Sequence, residues 1–232
     1  MKRVLVLEDE PSISECVEIN LIRSGYDVLT ASTGEEAMEL VKENEDITVA
    51  LLDVMLPGID GFEVCRRIRE LGRSMGIIML SAKSQEMDKV TGLMIGADDY
   101  VPKPFSVTEL MCRVDRLSSR VQASPTVPIT PMVEAIYSGE FRMDLRSRTV
   151  TKNGETVILT QIEFVVLKYF FENKDRALSR EEILAAVWGG DYQAEPKIVD
   201  VNIRRLRIKV EDDPSEPRHL LSVRGYGYKW ID

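Results

Sequence analysis

Charged and hydroxyl side chains directly follow several short apolar runs of the chain. They are Glu8 and Asp9 after the first run, Asp53 after the third, Ser81 after the fourth and Lys103 after the fifth. Because the carboxyl ends of parallel strands share one edge of a sheet, we expect these side chains to meet there. Carboxylates that share a pocket repel one another unless a divalent cation or a lysine ammonium neutralises them. The spacing therefore predicts a Mg²⁺ site.

Such a site is suited to phosphoryl transfer. A bound cation bridges carboxylate and phosphoryl oxygens, Asp53 can attack phosphorus to give an aspartyl phosphate, and Ser81 and Lys103 can contact the remaining phosphoryl oxygens. Taken alone, an acidic residue at a strand end is more often a helix cap or a solvated loop group. The combination of residues carries the hypothesis.

The elements that position these residues alternate between strand and helix. The near-continuous apolar runs Val4–Leu7, Val49–Leu52 and Ile77–Leu80 are typical of parallel strands that are covered on both faces. A helix is predicted from about Pro11 to the terminator Gly25. Five strand-helix units fit into about 120 residues, which predicts an α/β, doubly wound, five-stranded parallel sheet.

A change of pattern separates this half from the rest of the chain. Residues 121–137 hold three prolines among Ser, Thr and Val, without amphipathic periodicity, and are predicted to be a linker. The sequence after it predicts antiparallel hairpins, one of them turning at Asn153-Gly154, then three helices and a terminal hairpin. The second domain is thus predicted to be α+β, over residues 138–232.

Composition excludes several classes of protein. The chain has 232 residues and a net charge of −9, with a net charge of −8 in residues 1–121. No apolar run approaches the roughly 18 residues of a membrane span, and the start lacks a secretory signal, so a cytoplasmic protein without membrane contact is expected. Three scattered cysteines and the single His219 disfavour a disulfide framework, a four-ligand zinc site and most hydrolase chemistry.

A basic stretch, Lys197–Lys209, lies in the nearly neutral second half. On a helical wheel the core stripe holds Val199, Ile203, Leu206 and Val210, and the opposite side is predicted to expose Lys197, Val201, Arg204, Arg205 and Ile208. Cations interleaved with apolar groups are typical of a helix in a DNA major groove, although a merely solvated face is the alternative. Arg207 and Lys209 on the flanks are predicted to contact phosphates, and Arg224 at a hairpin tip to enter a minor groove.

Residues 1 to about 120 resemble the response-regulator receiver family, whose fold is flavodoxin-like. The matching motifs are Leu7–Glu10, Leu52–Gly58, Leu80–Ala82 and Gly96–Phe105. The resemblance implies that Asp53 is the phosphoacceptor and that Asp9, Asp53 and the Met55 carbonyl bind Mg²⁺, with Glu8 acting through metal-bound water. It also implies that Ser81 and Tyr100 form a switch pair, that Lys103 contacts the phosphate, and that the Lys103-Pro104 bond is cis.

The second half resembles the winged helix-turn-helix DNA-binding domain of the OmpR/PhoB family. The motifs are Leu159–Phe164, Ser179–Leu184, Val199–Arg207 and Val223–Tyr228. The resemblance implies a transcription regulator that receives a phosphoryl group from a sensor histidine kinase and binds direct-repeat sites in double-stranded DNA. It places Asn202 among the DNA-contacting residues and makes Asp200 an intradomain hydrogen-bonding residue.

The same resemblance implies a homodimer on activation, held partly by Lys89, Asp98, Asp99 and Arg113. Met94 stands where many members carry an acidic partner for a residue like Lys89, so a weaker or more apolar dimer is expected. Two alternatives stay open: a phosphorylation-independent pseudo-receiver that binds DNA, and a hydrolase that uses the aspartyl phosphate as an intermediate. The intact Glu8, Asp9, Asp53, Ser81 and Lys103 set disfavours the first. The absence of an obvious substrate-pocket motif disfavours the second.

Overall fold

A computed structural model describes residues 2–82, 95–121, 135–189 and 197–232. The chain divides into two compact units, Met1–Gln122 and Ala123–Asp232. Most of the predicted linker, Lys89 and Met94 lie outside the described residues. Within the described residues no helix is long and apolar enough to cross a membrane.

The first unit is built on a five-stranded parallel sheet, as predicted. The order is β2-β1-β3-β4-β5, with consecutive neighbours hydrogen-bonded. Its elements are β1 (Arg3–Leu7), α1 (Pro11–Arg23), β2 (Asp27–Ala31), α2 (Gly34–Glu43), β3 (Ile47–Asp53), α3 (Gly61–Glu70), β4 (Gly76–Ala82), β5 (Asp99–Lys103) and α4 (Val107–Val121). The direction in which successive strands are added to the sheet reverses between β1 and β3. In such sheets ligands bind at this position, outside the carboxyl ends of the strands.

Alternation along each strand separates two cores. Leu5 and Leu52 face the layer that includes α2 and α3, whereas Val6 and Leu51 face the layer that includes α1 and α4. Because successive side chains point to opposite faces, a strand that is covered on both sides is apolar at consecutive positions, and residues Val49–Leu52 of β3 are all buried. This is why continuous apolar runs in the sequence predicted the positions of these strands.

The second unit combines two antiparallel sheets with three helices. One sheet has the order β6-β7-β8-β9 and the other β10-β12-β11. The elements are β6 (Ala135–Ser138), β7 (Phe141–Asp144), β8 (Thr149–Lys152), β9 (Glu155–Val157), α5 (Gln161–Glu172), β10 (Ala177–Ser179), α6 (Arg180–Trp188), α7 (Lys197–Val210), β11 (Leu220–Val223) and β12 (Gly227–Trp230). The predicted turn at Asn153-Gly154 has positive φ at both residues, as a tight hairpin requires.

Aromatic side chains form the centre of this second core. Phe141, Phe171 and Trp230 pack with ring centroids 4.9–6.1 Å apart. Trp188, at the end of α6, is buried at 2% exposure, as expected of a core residue. The hairpin β11-β12, with residues 224–226 at its turn, is called the wing below. It pairs with β10 through β12, which attaches the wing to the rest of the unit.

Candidate functional site

Glu8, Asp9 and Asp53 meet at the carboxyl edge of the first sheet. β1 and β3 are paired, so the end of β3 at Asp53 lies beside the residues that follow β1. One carboxylate oxygen from each of the three residues lies within 4.8 Å of the others. Glu8 and Asp53 are each only 3% exposed, whereas Asp9 is exposed. The three carboxylates therefore form a pocket with one side open to solvent.

Lys103 neutralises part of this acidic pocket. Its Nζ donates to both carboxylate oxygens of Glu8, at 2.9 and 2.7 Å, and to Asp53 Oδ2 at 2.8 Å. Burial raises the pKa of the Glu8 carboxyl above its ordinary value. Burial alone would lower the pKa of Lys103, but hydrogen bonds to Asp53 and Glu8 outweigh it and raise that pKa. The ammonium is thus held charged between the two buried carboxylates. The Lys103-Pro104 peptide bond is cis, as expected.

The hydroxyl groups of the expected switch pair lie on neighbouring strands. Ser81 is 1% exposed on β4, one residue after Leu80, which is the strand partner of Asp53. Tyr100 on β5 is paired with Met79 and packs in the core layer that includes Met79 and Ala97. Ser81 therefore lies one position beyond the strand level of Asp53, and the Tyr100 ring is packed inward at 9% exposure. Their switch role remains a prediction.

The loop after Asp53 is shaped by a glycine that the sequence reasoning did not single out. Met55 donates its backbone N–H to Asp53 Oδ1 at 3.2 Å, and its side chain is exposed. The loop then returns to Asp53, where Gly61 begins α3. A Cβ at Gly61 would collide with the carbonyl oxygen of Asp53. The available signal was Asp60-Gly61, where Asp60 caps the helix by accepting from Glu63 N at 2.8 Å and is followed by a residue without a side chain.

Three of the residues expected at a dimer face form ion pairs within the chain. Asp98 is fully buried and accepts from Arg69 at 2.7 Å and from the backbone N–H of Ile77 at 2.8 Å. Asp99 accepts twice from Arg113 Nη1, at 2.9 Å for each oxygen. Asp99 and Arg113 are 4% and 7% exposed. Their dimer role remains a prediction, and any exchange between copies must open these internal pairs.

The basic helix α7 exposes fewer of its predicted residues than the wheel suggested. Lys197 and Arg204 are exposed, and Ile208 is 61% exposed. The prediction that Val201 is exposed is wrong, because it is 8% exposed and packs into the domain. Asn202 is fully buried, with its side-chain amide donating to the Ile198 carbonyl at 2.8 Å, so it is turned away from the outer face. A helical wheel gives the angular position of each residue, but it does not give how much of the helix circumference is buried in the fold.

The prediction that Arg205 lies on the outer face is also wrong. Its side chain is 11% exposed, and its Nε lies 3.0 Å from Oε1 of the fully buried Glu163. Lys209 donates to Oε2 of the same carboxylate at 2.6 Å. Burial alone would raise the pKa of Glu163, but Arg205 and Lys209 outweigh it and hold that pKa below its ordinary value. Glu163 also closes the capping box of α5 with Thr160. The two cations therefore attach α7 to α5.

A polar cluster joins α6, α7 and the wing. The carboxylate of Asp200 accepts from Arg180 Nε and from the Tyr228 hydroxyl, each at 2.7 Å, as expected of an intradomain residue. The guanidinium groups of Arg180 and Arg207 each lie over the Tyr228 ring, 5.1 and 5.7 Å from its centroid. Arg207 also donates to the Leu220 carbonyl at 2.7 Å. These contacts fix the wing, with the exposed Arg224 at its turn, relative to the basic helix.

Comparisons with known proteins identify both halves. The family model described as the response regulator receiver domain matches residues 4–115, and the model described as transcriptional regulatory protein, C terminal, matches residues 154–230. The solved response regulator DrrB of Thermotoga maritima, an OmpR/PhoB homologue, is 32% identical, with all of both chains covered and a TM-score of 0.51.

Two further structures agree. The receiver domain of the Francisella response regulator 1452 is 34% identical over 53% of this chain and all of that chain, with a TM-score of 0.50. A mutant of the protein RitR is 24% identical over all of both chains, and its TM-score of 0.75 shows a shared fold. The motifs, the two folds and the full-length match to DrrB lead to one conclusion: the chain belongs to the OmpR/PhoB family of response regulators.

Proposed function

We propose that this chain is a transcription regulator controlled by phosphorylation of Asp53, with a sensor histidine kinase as phosphoryl donor. The observation that carries the proposal is the pocket in which Lys103 Nζ bridges Asp53 Oδ2 and Glu8, at 2.8 and 2.7 Å, beside the exposed Asp9. The receiver family implies the kinase partner, and the DNA-binding domain implies double-stranded DNA.

The residues of the pocket have distinct roles in phosphoryl transfer. A carboxylate oxygen of Asp53 attacks phosphorus, a new P–O bond forms, and the P–N bond to the kinase histidine breaks. Lys103, already charged and within hydrogen-bond distance of Asp53, is placed to stabilise the added phosphoryl oxygens. Ser81 lies one residue beyond the strand partner of Asp53 and is proposed to donate to the same group.

The donor set fits Mg²⁺, because this cation prefers oxygen ligands and is usually held by one or two carboxylates. Asp9, Asp53 and the Met55 carbonyl are proposed to hold it, with Glu8 acting through a water. When bound, the cation neutralises charge on the transferring phosphoryl group. Lys103 occupies part of the same acidic environment, so it also limits the repulsion between Glu8 and Asp53 before any cation binds.

The output is proposed to be dimeric binding to direct-repeat DNA sites. A phosphoryl oxygen on Asp53 offers Ser81 a charge-assisted hydrogen bond, and drawing the hydroxyl toward the phosphate favours the inward position of the Tyr100 ring. Tyr100 is adjacent to Asp99, whose pair with Arg113 lies at the face proposed to dimerise. Phosphorylation shifts the population toward the dimer only as far as the phosphate favours one of the two states.

The proposal is tested by mass measurement and DNA binding on the full chain. Acetyl phosphate with Mg²⁺ is expected to add one phosphoryl group to the wild type and none to Asp53→Asn, and the modified protein is expected to bind selected duplexes more tightly. Equal uptake by the variant contradicts the assignment of Asp53. Tight binding that never responds to phosphorylation supports the pseudo-receiver instead, and rapid turnover of a phosphate ester supports the hydrolase.

A further inference from the structure

The outer face of α7 carries one apolar side chain among its cations. Lys197, Val201, Arg204 and Ile208 follow one another at spacings of four, three and four residues, so they lie along one stripe of the helix. Val201 is buried, which leaves two cations and Ile208 exposed on this stripe. Ile208, at 61% exposure, is accessible, whereas Ile203 and Leu206 on the same helix are at most 1% exposed.

A single exposed isoleucine is ordinary on a protein surface, so its position has to carry the argument. Ile208 lies one turn after Arg204 and lines a cavity of about 320 Å³ together with Arg204, Arg207 and Tyr228. The surface is concave and is lined by two arginines and by the carboxylate of Asp200, which is paired with Arg180. Its exposed apolar side chains are Ile208 and Pro214, and their area is far less than the roughly 800 Å² per partner of a stable protein interface. The environment favours a nucleic acid over an apolar protein partner.

We infer that Ile208 reads a thymine methyl group in the major groove, near a guanine that is read by Arg204. This inference rests on the proposed DNA-binding function and adds the base chemistry of the site. Arginine pairs with the O6 and N7 acceptors of guanine, and the thymine C5-methyl is the apolar group that a major groove presents. Arg205 and Lys209 are bound to Glu163, which leaves the Arg204 and Ile208 turn as the base-reading part of the C-terminal half of α7.

The helix geometry gives the expected spacing of the two bases. Residues four apart on a helix are separated by about 6 Å along its axis, and stacked bases along one strand by about 3.4 Å. The thymine is therefore expected about two base steps from the guanine within each half-site. Because Ile208 is exposed and alanine is a better helix former, Ile208→Ala is expected to keep the fold intact.

The experiment removes one methyl group from the DNA and one side chain from the protein. Duplexes are first selected from a random library with the full-length wild type, in the presence of Mg²⁺ and beryllofluoride, and each thymine is then replaced in turn by deoxyuridine. At one thymine per half-site, replacement by deoxyuridine is expected to weaken DNA binding by the wild type about fourfold. This is the change expected for the loss of one buried methyl-sized group. In Ile208→Ala the same replacement is expected to change nothing.

Ile158→Ala is the matched control, because Ile158 is 65% exposed in the same unit but lies before α5. It is expected to keep the fourfold methyl dependence. The inference is overturned if no thymine shows the dependence, if it persists in Ile208→Ala, or if that variant loses affinity equally for thymine and uracil duplexes. Failure to enrich any duplex with the wild type contradicts the proposed DNA binding itself, which separates the two failures.

Discussion

Arg205 Nε lies 3.0 Å from Glu163 Oε1, on the inner side of the basic helix, and Arg204 beside it is exposed. Adjacent arginines of one helix therefore lie in different environments. A buried carboxylate that loses a cationic partner leaves an uncompensated charge, which typically costs several kcal/mol. The exposed Arg204 is expected to discriminate between bases instead.

Arg205→Ala is expected to lower the free energy of unfolding of the second unit by about 2–3 kcal/mol, since Lys209 still partly neutralises Glu163. Arg204→Ala is expected to change that free energy by less than about 0.5 kcal/mol and to relax base preference at one position. Denaturant titration and binding to single-base variants of a selected duplex measure both effects. Equal stability losses in the two variants would contradict the burial argument.

Lys103→Met is expected to slow phosphorylation of Asp53 and to tighten Mg²⁺ binding by about tenfold. The variant removes the ammonium that lies within 2.9 Å of both Glu8 and Asp53, so the carboxylates gain more from a cation. The affinity for Mg²⁺ is measured from the rise in melting temperature as Mg²⁺ is added. Lys42→Met, at an exposed position, is the control. Unchanged or weaker Mg²⁺ binding in Lys103→Met would show that the lysine does not compete with the metal.

Ser81→Ala is expected to accept a phosphoryl group yet dimerise poorly. The variant keeps the carboxylates and Lys103 but loses the hydroxyl that is proposed to couple phosphorylation of Asp53 to the position of the Tyr100 ring. Coupling of this kind is typically about 5–150-fold in affinity. Sedimentation velocity with and without beryllofluoride compares the variant with wild type. A full response of Ser81→Ala, or no change in mass for the wild type, would rule the mechanism out.

Tyr228→Phe is expected to cost about 1 kcal/mol, because it removes the hydrogen bond to Asp200. Burial, and then that hydrogen bond, raise the pKa of Tyr228 to about 12 from the ordinary value of 10.0. Tyr228 therefore ionises at a lower pH in the unfolded chain than in the folded one. Its contribution to the free energy of unfolding is fully present below pH 10 and is lost as the pH rises toward 12. Tyrosinate absorbance should show one high-pKa group fewer in the variant. Tyr26, whose pKa is also raised to about 12, is the internal reference and should remain.

Much of the architecture followed from local pattern. The apolar run Val49–Leu52 in β3 required a strand covered on both faces, and the order of strands with polar residues at their ends was enough to expect Glu8, Asp9, Asp53 and Lys103 at one edge. The need for glycine at position 61 could not be predicted in this way. It arises from the close approach of the Asp53 carbonyl oxygen and not from a local sequence pattern.

The basic helix shows what only the tertiary structure decided. Its sequence determined that one stripe is apolar and that cations surround it, since a period of 3.6 residues is a local property. Which cations face outward depended on the buried carboxylate of Glu163, 42 residues before Arg205 and on another helix. A charge pairs with whatever the fold brings within a few ångströms, and that neighbour cannot be read from the helix that carries it.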